Sequence, residues 1–254
     1  VQVLGIDLGG SGFRVGVYDV ETGHRTEPLL SLEHRASLHP EDVLAHITEV
    51  LEERAWSGPM GFGFPGAVVN NRIRTAPNLG DAWRAVDLEA TFRPFHGGRF
   101  AVLNDADAAA EGERRFGCSH GDHACVLTLT VGTGLGTTVH ENGVLVPNLE
   151  HGRLPHPRRS GVLEEHLSGR ARRTERLSLE AWSERFQEGL TFLESDLNPD
   201  LIVVSGGITE HWHTIEPLLS TRAELVKATL AEDAGPLGAA CWVATGPSSE
   251  GPSS

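Results

Sequence analysis

The chain has 254 residues, 39 % of them hydrophobic, and a formal net charge of −14. That length bounds it to one large domain or two smaller ones with enough apolar content for a packed core, and the acidic balance argues against general nucleic-acid or membrane-surface binding, which wants a basic footprint. No run approaches the ~20 apolar residues of a membrane span, no charged-then-apolar leader opens the chain, and a cytoplasmic protein is the expectation.

In chain order, residues 1–8 are a β-rich run that breaks at Gly9-Gly10-Ser11-Gly12, and 13–18 resume as a second strand. Two strands joined by a glycine turn predict a hairpin, not a strand-to-helix phosphate loop. Residues 19–24 form a turn and 25–32 a third strand. Pro40–Glu53 carries Val43, Leu44, Ile47, Val50 and Leu51 at helical spacing behind a proline start signal. Residues 59–64 are a short buried strand ending at Pro65-Gly66, 72–84 are loop-like around Pro77-Asn78-Leu79-Gly80, and 88–95 form a short helix. A strand over 99–103 ends at Asn104-Asp105, and 106–116 follow as an alanine-rich helix.

The strand at 124–130 is broken by Gly132-Thr133-Gly134-Leu135-Gly136, after which 137–140 and Val144–Val146 read as strands. The second half thus repeats the order of the first, which points to an internal duplication of architecture. Residues 147–177 are irregular and arginine-rich, and Ser178 stands where an N-cap belongs, before a long amphipathic helix over Leu179–Leu197. A four-residue apolar strand at 201–204 ends at Ser205-Gly206-Gly207. A helix over 209–219, a strand near 223–227 and a final helix near 236–243 complete the fold. Residues 246–254 are rich in Gly, Pro and Ser and read as a disordered tail.

Three glycine turns therefore sit at strand ends, and each lets backbone N–H groups approach anionic oxygens closely. One alone is an ordinary tight turn; three, with Asp7 just before the first, are harder to dismiss. Neither a strand-to-helix G-x-G-x-x-G nor G-x-x-x-x-G-K-[ST] is present. Asp7 is either a capped turn residue or, functionally, an outer-shell anchor for Mg²⁺ bound to phosphates, since that cation favours carboxylate and water oxygens. Asp105 is either the N-cap of the helix opening at Ala106 or a group that takes a proton from an attacking hydroxyl; Asp107 competes for that second role. Three cysteines without C-x-x-C spacing give neither a disulfide framework nor a cysteine-rich zinc site. The histidines pair as His120 with His123, His151 with His156 and His211 with His213, without H-E-x-x-H, so surface or loop positions are expected of them.

Gly5-Ile6-Asp7-Leu8-Gly9-Gly10-Ser11-Gly12, Asn104-Asp105-Ala106-Asp107-Ala108-Ala109 and Gly132-Thr133-Gly134-Leu135-Gly136, in that order, resemble the ROK family of sugar kinases and repressors. Within it, Asp81-Ala82-Trp83 after Pro77-Asn78-Leu79, Gly143-Val144-Leu145-Val146-Pro147-Asn148 and Asp233-Ala234-Gly235 are similar to the polyphosphate glucokinase subgroup. The resemblance runs to about Ala244 and implies an α/β, actin-like ATPase fold of two ribonuclease-H-like lobes with a central cleft. The lobes are expected over 1–103, completed by the helix near 236–244, and over 104–235. It implies Asp105 as catalytic base, and Pro65, Gly66, Asn78, Asn104, Glu150 and Arg153 as sugar-contacting positions. Gly9, Gly10, Ser11, Gly12, Gly132, Thr133, Gly134, Gly206 and Gly207 would hold phosphates or nucleotide, and Asp7 would hold Mg²⁺ through water.

The implied activity is transfer of a phosphoryl group from inorganic polyphosphate, ATP or both to the 6-hydroxyl of a hexose such as glucose. The alternatives are a strictly ATP-dependent hexokinase and a non-catalytic sugar-binding protein. With the first strand opening at Val1, no DNA-reading module of the repressor kind is expected, and intact Asp7, Asp105 and glycine turns favour catalysis. The oligomeric state is left open, a homodimer included. Two departures from the family stand out: Glu150-His151-Gly152-Arg153 replaces Glu-x-Gly-His, which puts hexose preference in doubt, and the structural-zinc cysteine cluster is missing, so no zinc is expected. Finally, Arg153, Arg158, Arg159, Arg170, Arg172, Arg173 and Arg176 stand against only Glu164, Glu165 and Glu175, a basic stretch inside an acidic protein. It is either a salt-bridged solvated face or a landing strip for a polyanionic donor.

Overall fold

The first strand, β1 (Gln2–Leu8), buries Val3, Leu4, Ile6 and Leu8 on both of its faces, which makes it a central strand. In the computed structural model, which describes residues 1–35 and 37–245, it pairs antiparallel with β2 (Gly12–Asp19) and parallel with the strand from Met60. The hairpin turn Gly9–Gly12 is closed by the Gly9 N–H donating to the Gly12 carbonyl at 2.8 Å. Next come β3 (Leu30–Glu33), α1 (Pro40–Glu53), β4 (Met60–Phe64), a small hairpin of β5 (Val68–Val69) and β6 (Arg72–Ile73), α2 (Leu88–Phe92), β7 (Phe100–Asn104) and α3 (Asp105–Phe116). The five-stranded sheet has the order β3-β2-β1-β4-β7.

The second sheet repeats this plan. It contains β8 (Cys125–Val131), β9 (Leu135–Glu141) and β10 (Val144–Val146), joined after α4 (Leu163–Leu167), α5 (Gly169–Thr174) and α6 (Leu179–Leu197) by β11 (Leu201–Ser205). After α7 (Trp212–Ile215) comes β12 (Glu224–Lys227), and the order is β10-β9-β8-β11-β12. In both sheets an antiparallel meander of three strands continues into two parallel strands, the ribonuclease-H-like arrangement and the duplication legible in the sequence. Helix α6 has the sequence-predicted bounds, with the Ser178 hydroxyl accepting from the Ala181 N–H at 3.2 Å.

The chain returns in α8 (Ala234–Thr245), a helix apolar on every side and correspondingly buried from Ala234 to Cys241. Its backbone lies directly on its neighbours. A Cβ at Gly5 would stand 1.8 Å from the Pro236 carbonyl oxygen, one at Gly61 1.9 Å from that of Ala239, and one at Gly238 1.7 Å from that of Ala108. Helices α3 and α8 and the first sheet thus form one unit, Val1–Phe116 with the chain from Glu232 on, and Gly117–Ala231 form the other. The division falls after α3 and not at the expected 103/104, because α3 packs its alanines and Gly112 against α8.

Other boundaries also differ from expectation. The third strand spans only Leu30–Glu33; Arg25 makes a single isolated bridge to Tyr18, and Pro28, which has no N–H, interrupts the ladder between them. The stretch expected to be irregular holds α4 and α5, built on Leu163, Leu167 and Ala171 at spacings of four, all buried. The helix expected over 209–219 is broken into 3₁₀ turns at Gly207–His211 and Glu216–Leu218 on either side of α7, with Pro217 in the second. The tail expected over 246–254 lies outside the described residues.

Substituting Gly238→Ala forces a methyl into the Ala108 carbonyl and is expected to destabilise the first unit by about 1–3 kcal/mol. Differential scanning calorimetry reads this as a lowered first transition. Gly10→Ala, where nothing lies within 4 Å of the added Cβ, leaves that transition in place; equal shifts in both variants would contradict the packing account.

Candidate active site

Strands β1, β4 and β7 run parallel and adjacent, so their carboxyl ends line up, with Asp7 opposite Gly63, Gly63 opposite Leu103 and Phe64 opposite Asn104. Carboxyl ends of parallel strands are where open α/β sheets bind ligands. Here that edge carries Asp7 and, one residue beyond β7, Asp105. Of the two readings open for Asp105, the helix-capping one falls chiefly to its neighbour. The Asn104 side-chain oxygen accepts from the N–H groups of Ala106 at 2.9 Å and Asp107 at 3.1 Å. Asp105 shares the Ala106 N–H, at 2.8 Å, and accepts from its own backbone N–H. The Asn104 amide also donates to the Gly66 carbonyl at 3.2 Å, tying the Pro65-Gly66 turn to the start of α3.

Burial pushes the Asp105 carboxyl up to about 8, and the negative charges of Asp7 and Asp107 add to the shift against the Ala106 hydrogen bond. Asp105 nevertheless keeps part of its surface accessible, whereas Asp107 is 2 % exposed. Burial also raises the carboxyl of Asp7, opposed by Arg14, whose Nη1 donates to Asp7 Oδ2 at 3.0 Å. The backbone of α8 crowds the same group: a Cβ at Gly235 would lie 2.6 Å from the Asp7 carboxyl carbon. Beside it, His34 clamps the first glycine turn, its Nε2–H donating to the Gly9 carbonyl at 2.9 Å and its backbone N–H to that of Ser11 at 3.1 Å. Gly10 and Ser11 at the tip of that turn are exposed, while Gly12 is fixed against the Leu32 carbonyl. Pro65 and Gly66 are buried and Asn78 is exposed in its turn. Arg14 and His34 escaped the sequence reading, and Gly235 stood there only as part of a resembling motif, without a role at the site; Arg14 was available from hairpin arithmetic, since a turn over 9–12 pairs 7 with 14.

In the second unit, Glu150 precedes a 3₁₀ turn at His151–Arg153. The Thr137 hydroxyl fixes that turn, donating to the Leu149 carbonyl at 3.1 Å and accepting from the His151 N–H at 3.0 Å. Burial raises the Glu150 carboxyl; Arg153 pulls it down and Glu164 pushes it up. Arg153 and Glu164 also line a 370 Å³ cavity together with Arg170. Gly132, Gly207 and the arginines Arg172 and Arg173 line a second cavity of 240 Å³, and Gly206, with φ of 88°, lies against the Val131 carbonyl. Thr133 is exposed in the Gly132–Gly134 turn. The basic run is thus split: Arg159 is held bidentately by Glu188 at 2.8 and 2.9 Å, Arg153 and Arg170 line one cavity, and Arg172 and Arg173 line the other. Among the described residues no group of three or more His, Cys, Asp or Glu could hold a metal ion, and no helix is long and apolar enough to cross a membrane.

The description "ROK family" belongs to the family model that matches residues 3–157. A polyphosphate glucokinase of Mycobacterium tuberculosis is 34 % identical over 238 residues, covering 93 % of this chain and 89 % of that protein. One from Mycobacterium leprae is 32 % identical, covering 93 % and 73 %. Among solved structures, the inorganic polyphosphate/ATP-glucomannokinase from Arthrobacter sp. strain KM superposes with a TM-score of 0.88 at 31 % identity, covering 96 % of this chain and 98 % of that one. A ROK family glucokinase from Streptomyces griseus shares the fold at a TM-score of 0.76 and 23 % identity, covering 94 % and 98 %. With more than half of its length matched by the family model and two ribonuclease-H-like sheets in the actin-like ATPase pattern, this chain belongs to the ROK family.

Proposed function

We propose that this protein is a hexose kinase that phosphorylates the 6-hydroxyl of glucose or a closely related sugar, using inorganic polyphosphate, ATP or both, with Asp105 as general base. The observation that carries the reading is Asp105 itself. It is a carboxyl raised to about 8 at the carboxyl end of the parallel strands, in a chain 34 % identical over 93 % of its length to a polyphosphate glucokinase.

In the proposed reaction the sugar hydroxyl oxygen attacks the terminal phosphorus of the donor and gives its proton to the Asp105 carboxylate. A new O–P bond forms, the phosphoanhydride P–O bond breaks, and its electron pair leaves on ADP or on a polyphosphate one unit shorter. Asp105 then releases its proton to water. Such transfer asks mainly for positioning and charge stabilisation. Asn104 holds the start of α3 and the Pro65-Gly66 turn in one piece, and we assign sugar contacts to Pro65, Gly66, Asn78 and Asn104. In the second unit Glu150 and Arg153 select the sugar. Phosphates are assigned to Gly9, Gly10, Ser11 and Gly12 in one unit, and to Gly132, Thr133, Gly134, Gly206 and Gly207 in the other.

Mg²⁺ keeps several of its waters and is bound by one or two carboxylates plus substrate phosphates. Asp7, whose charge acts on Asp105, fits that donor set and would hold the ion through water. When bound, the ion would neutralise charge on the transferring phosphoryl group.

The direct test is the purified protein with glucose and mannose, each against ATP and polyphosphate; no transfer from either donor to either sugar would overturn the proposal. Asp105→Asn is expected to lower kcat by about 10²–10⁴-fold or more while calorimetric sugar binding persists; a variant retaining above about a tenth of kcat would transfer the role to Asp107. Because the folded-state carboxyl lies above its ordinary 3.8, the protonated form is the one folding favours. Stability is therefore lost as pH rises towards about 8, and Asp105→Asn should melt at or above the wild-type temperature at pH 8. Catalysis has the opposite sign, since the ionised base is needed: kcat/KM rises with pH along a limb placed above the usual carboxylate range. Arg153→His, which exchanges a fixed charge and planar fork for a shorter ring, should change KM for the hexose more than KM for the donor; the reverse would place Arg153 with the donor.

A further inference from the structure

The 240 Å³ cavity of the second unit is lined by Gly132, Gly169, Arg172, Arg173, Gly207 and His211 among others. Arg172 Nε is buried there with no hydrogen-bond acceptor among the described residues, and a buried donor left unsatisfied is costly. Something that accepts hydrogen bonds would relieve it. The two glycine turns leave room for that acceptor: nothing lies within 4 Å of where a Cβ would stand at Gly132 or Gly207. Gly169 explains how the arginines come to border them. Its N–H donates to the Gly132 carbonyl at 2.9 Å, and a Cβ there would lie 2.5 Å from that oxygen and 3.3 Å from Arg173 Nη1. Only glycine lets α5 dock on the turn with Arg172 and Arg173 alongside.

The cavity suits phosphate groups better than a nucleoside. At 240 Å³ it is smaller than the ~300–1,000 Å³ pockets that enclose a drug-sized ligand. Its apolar lining is Val131 and Ile208, both buried, and its one flat ring is the imidazole of His211. Two guanidinium groups stand against the single carboxylate of Glu210, in a chain of net charge −14. Guanidinium forks match phosphate oxygens bidentately and stay charged at any working pH.

We propose that Arg172 and Arg173, over the Gly132 and Gly207 turns, hold phosphate groups of the donor and favour a polyphosphate chain over a nucleotide. This rests on the kinase reading for the ligand being a phosphoryl donor. A polyphosphate chain can lay successive phosphates on both arginines, whereas ATP has three phosphates, must also place its base, and depends less on these two forks. The neighbouring arginine on the same helix, Arg170, faces the other cavity, so charge on α5 as such is not the determinant.

The test uses the intact protein and measures two things: direct binding of long-chain sodium polyphosphate without sugar, by titration calorimetry at low salt, and KM for polyphosphate and for ATP with glucose. The double variant Arg172→Gln with Arg173→Gln is expected to weaken polyphosphate binding about tenfold or more and to raise its KM in parallel. KM for ATP should move less than about threefold, and Arg170→Gln should bind polyphosphate like the wild type. Circular dichroism on each variant guards against misfolding, and Arg172→Lys with Arg173→Lys, which keeps the charge but not the fork, should recover part of the binding. Absent polyphosphate binding by the wild type, an unchanged double variant, equal losses for ATP and polyphosphate, or an equal loss in Arg170→Gln would each overturn the proposal. Arginine-dependent binding without any transfer to sugar would instead uphold this site and remove the kinase reading.

Discussion

The close approach of α8 to the first sheet is the constraint from which the rest of that unit follows. Gly5 on β1, Gly61 on β4 and Gly238 on the helix each stand where a Cβ would overlap a backbone carbonyl. Without those methyl groups the helix sinks to backbone contact, and Gly235 in its first turn comes up against the Asp7 carboxylate. Packing thus removes water from one side of Asp7, and Asp7 in turn acts on Asp105. Glycines on β1, β4 and α8, two of which the sequence marked only as parts of resembling motifs, thus set the electrostatics of the candidate site.

Two carboxylates at the carboxyl ends of β1 and β7, with only β4 between those strands, are costly to keep ionised together. The structure spreads that cost unequally. Asp7 receives the Arg14 guanidinium at 3.0 Å, whereas Asp105 receives uncharged backbone N–H groups, its own and that of Ala106. The group with the weaker compensation is the one whose carboxyl is raised to about 8, close to the value that makes an efficient proton acceptor near neutral pH. On the proposed role of Asp105 as general base, stability is given up at this point for reactivity. Asn104 limits the loss by capping α3, a task that would otherwise tie down Asp105 itself.

Much of this was legible in the sequence. The repeated order of strand, glycine turn and strand foretold two sheets of one topology, and Ser178 marked the start of α6 to the residue. Asp7 and Asp105 stood out because a charge at the end of an apolar strand is costly. What escaped reading depended on contacts distant in sequence. The division between capping by Asn104 and burial of Asp105 needs the helix geometry, and Gly235 against Asp7 joins residues at opposite ends of the chain. Helices α4 and α5 were hidden because Ser168 and Gly169 interrupt the pattern between Leu167 and Ala171 and arginines crowd around Ala171. The same crowding made one basic run of side chains that the fold sends to a Glu188 clamp and to two separate cavities.

The central claim is that burial and the Asp7 charge hold the Asp105 carboxyl far above an ordinary aspartate. Carboxyl ¹³C NMR of the aspartate-labelled protein, titrated without donor or added metal, measures it directly. The account predicts one aspartate resonance titrating near 8 that disappears in Asp105→Asn. Titration of every aspartate below about 5, within the ordinary carboxylate range, would contradict it.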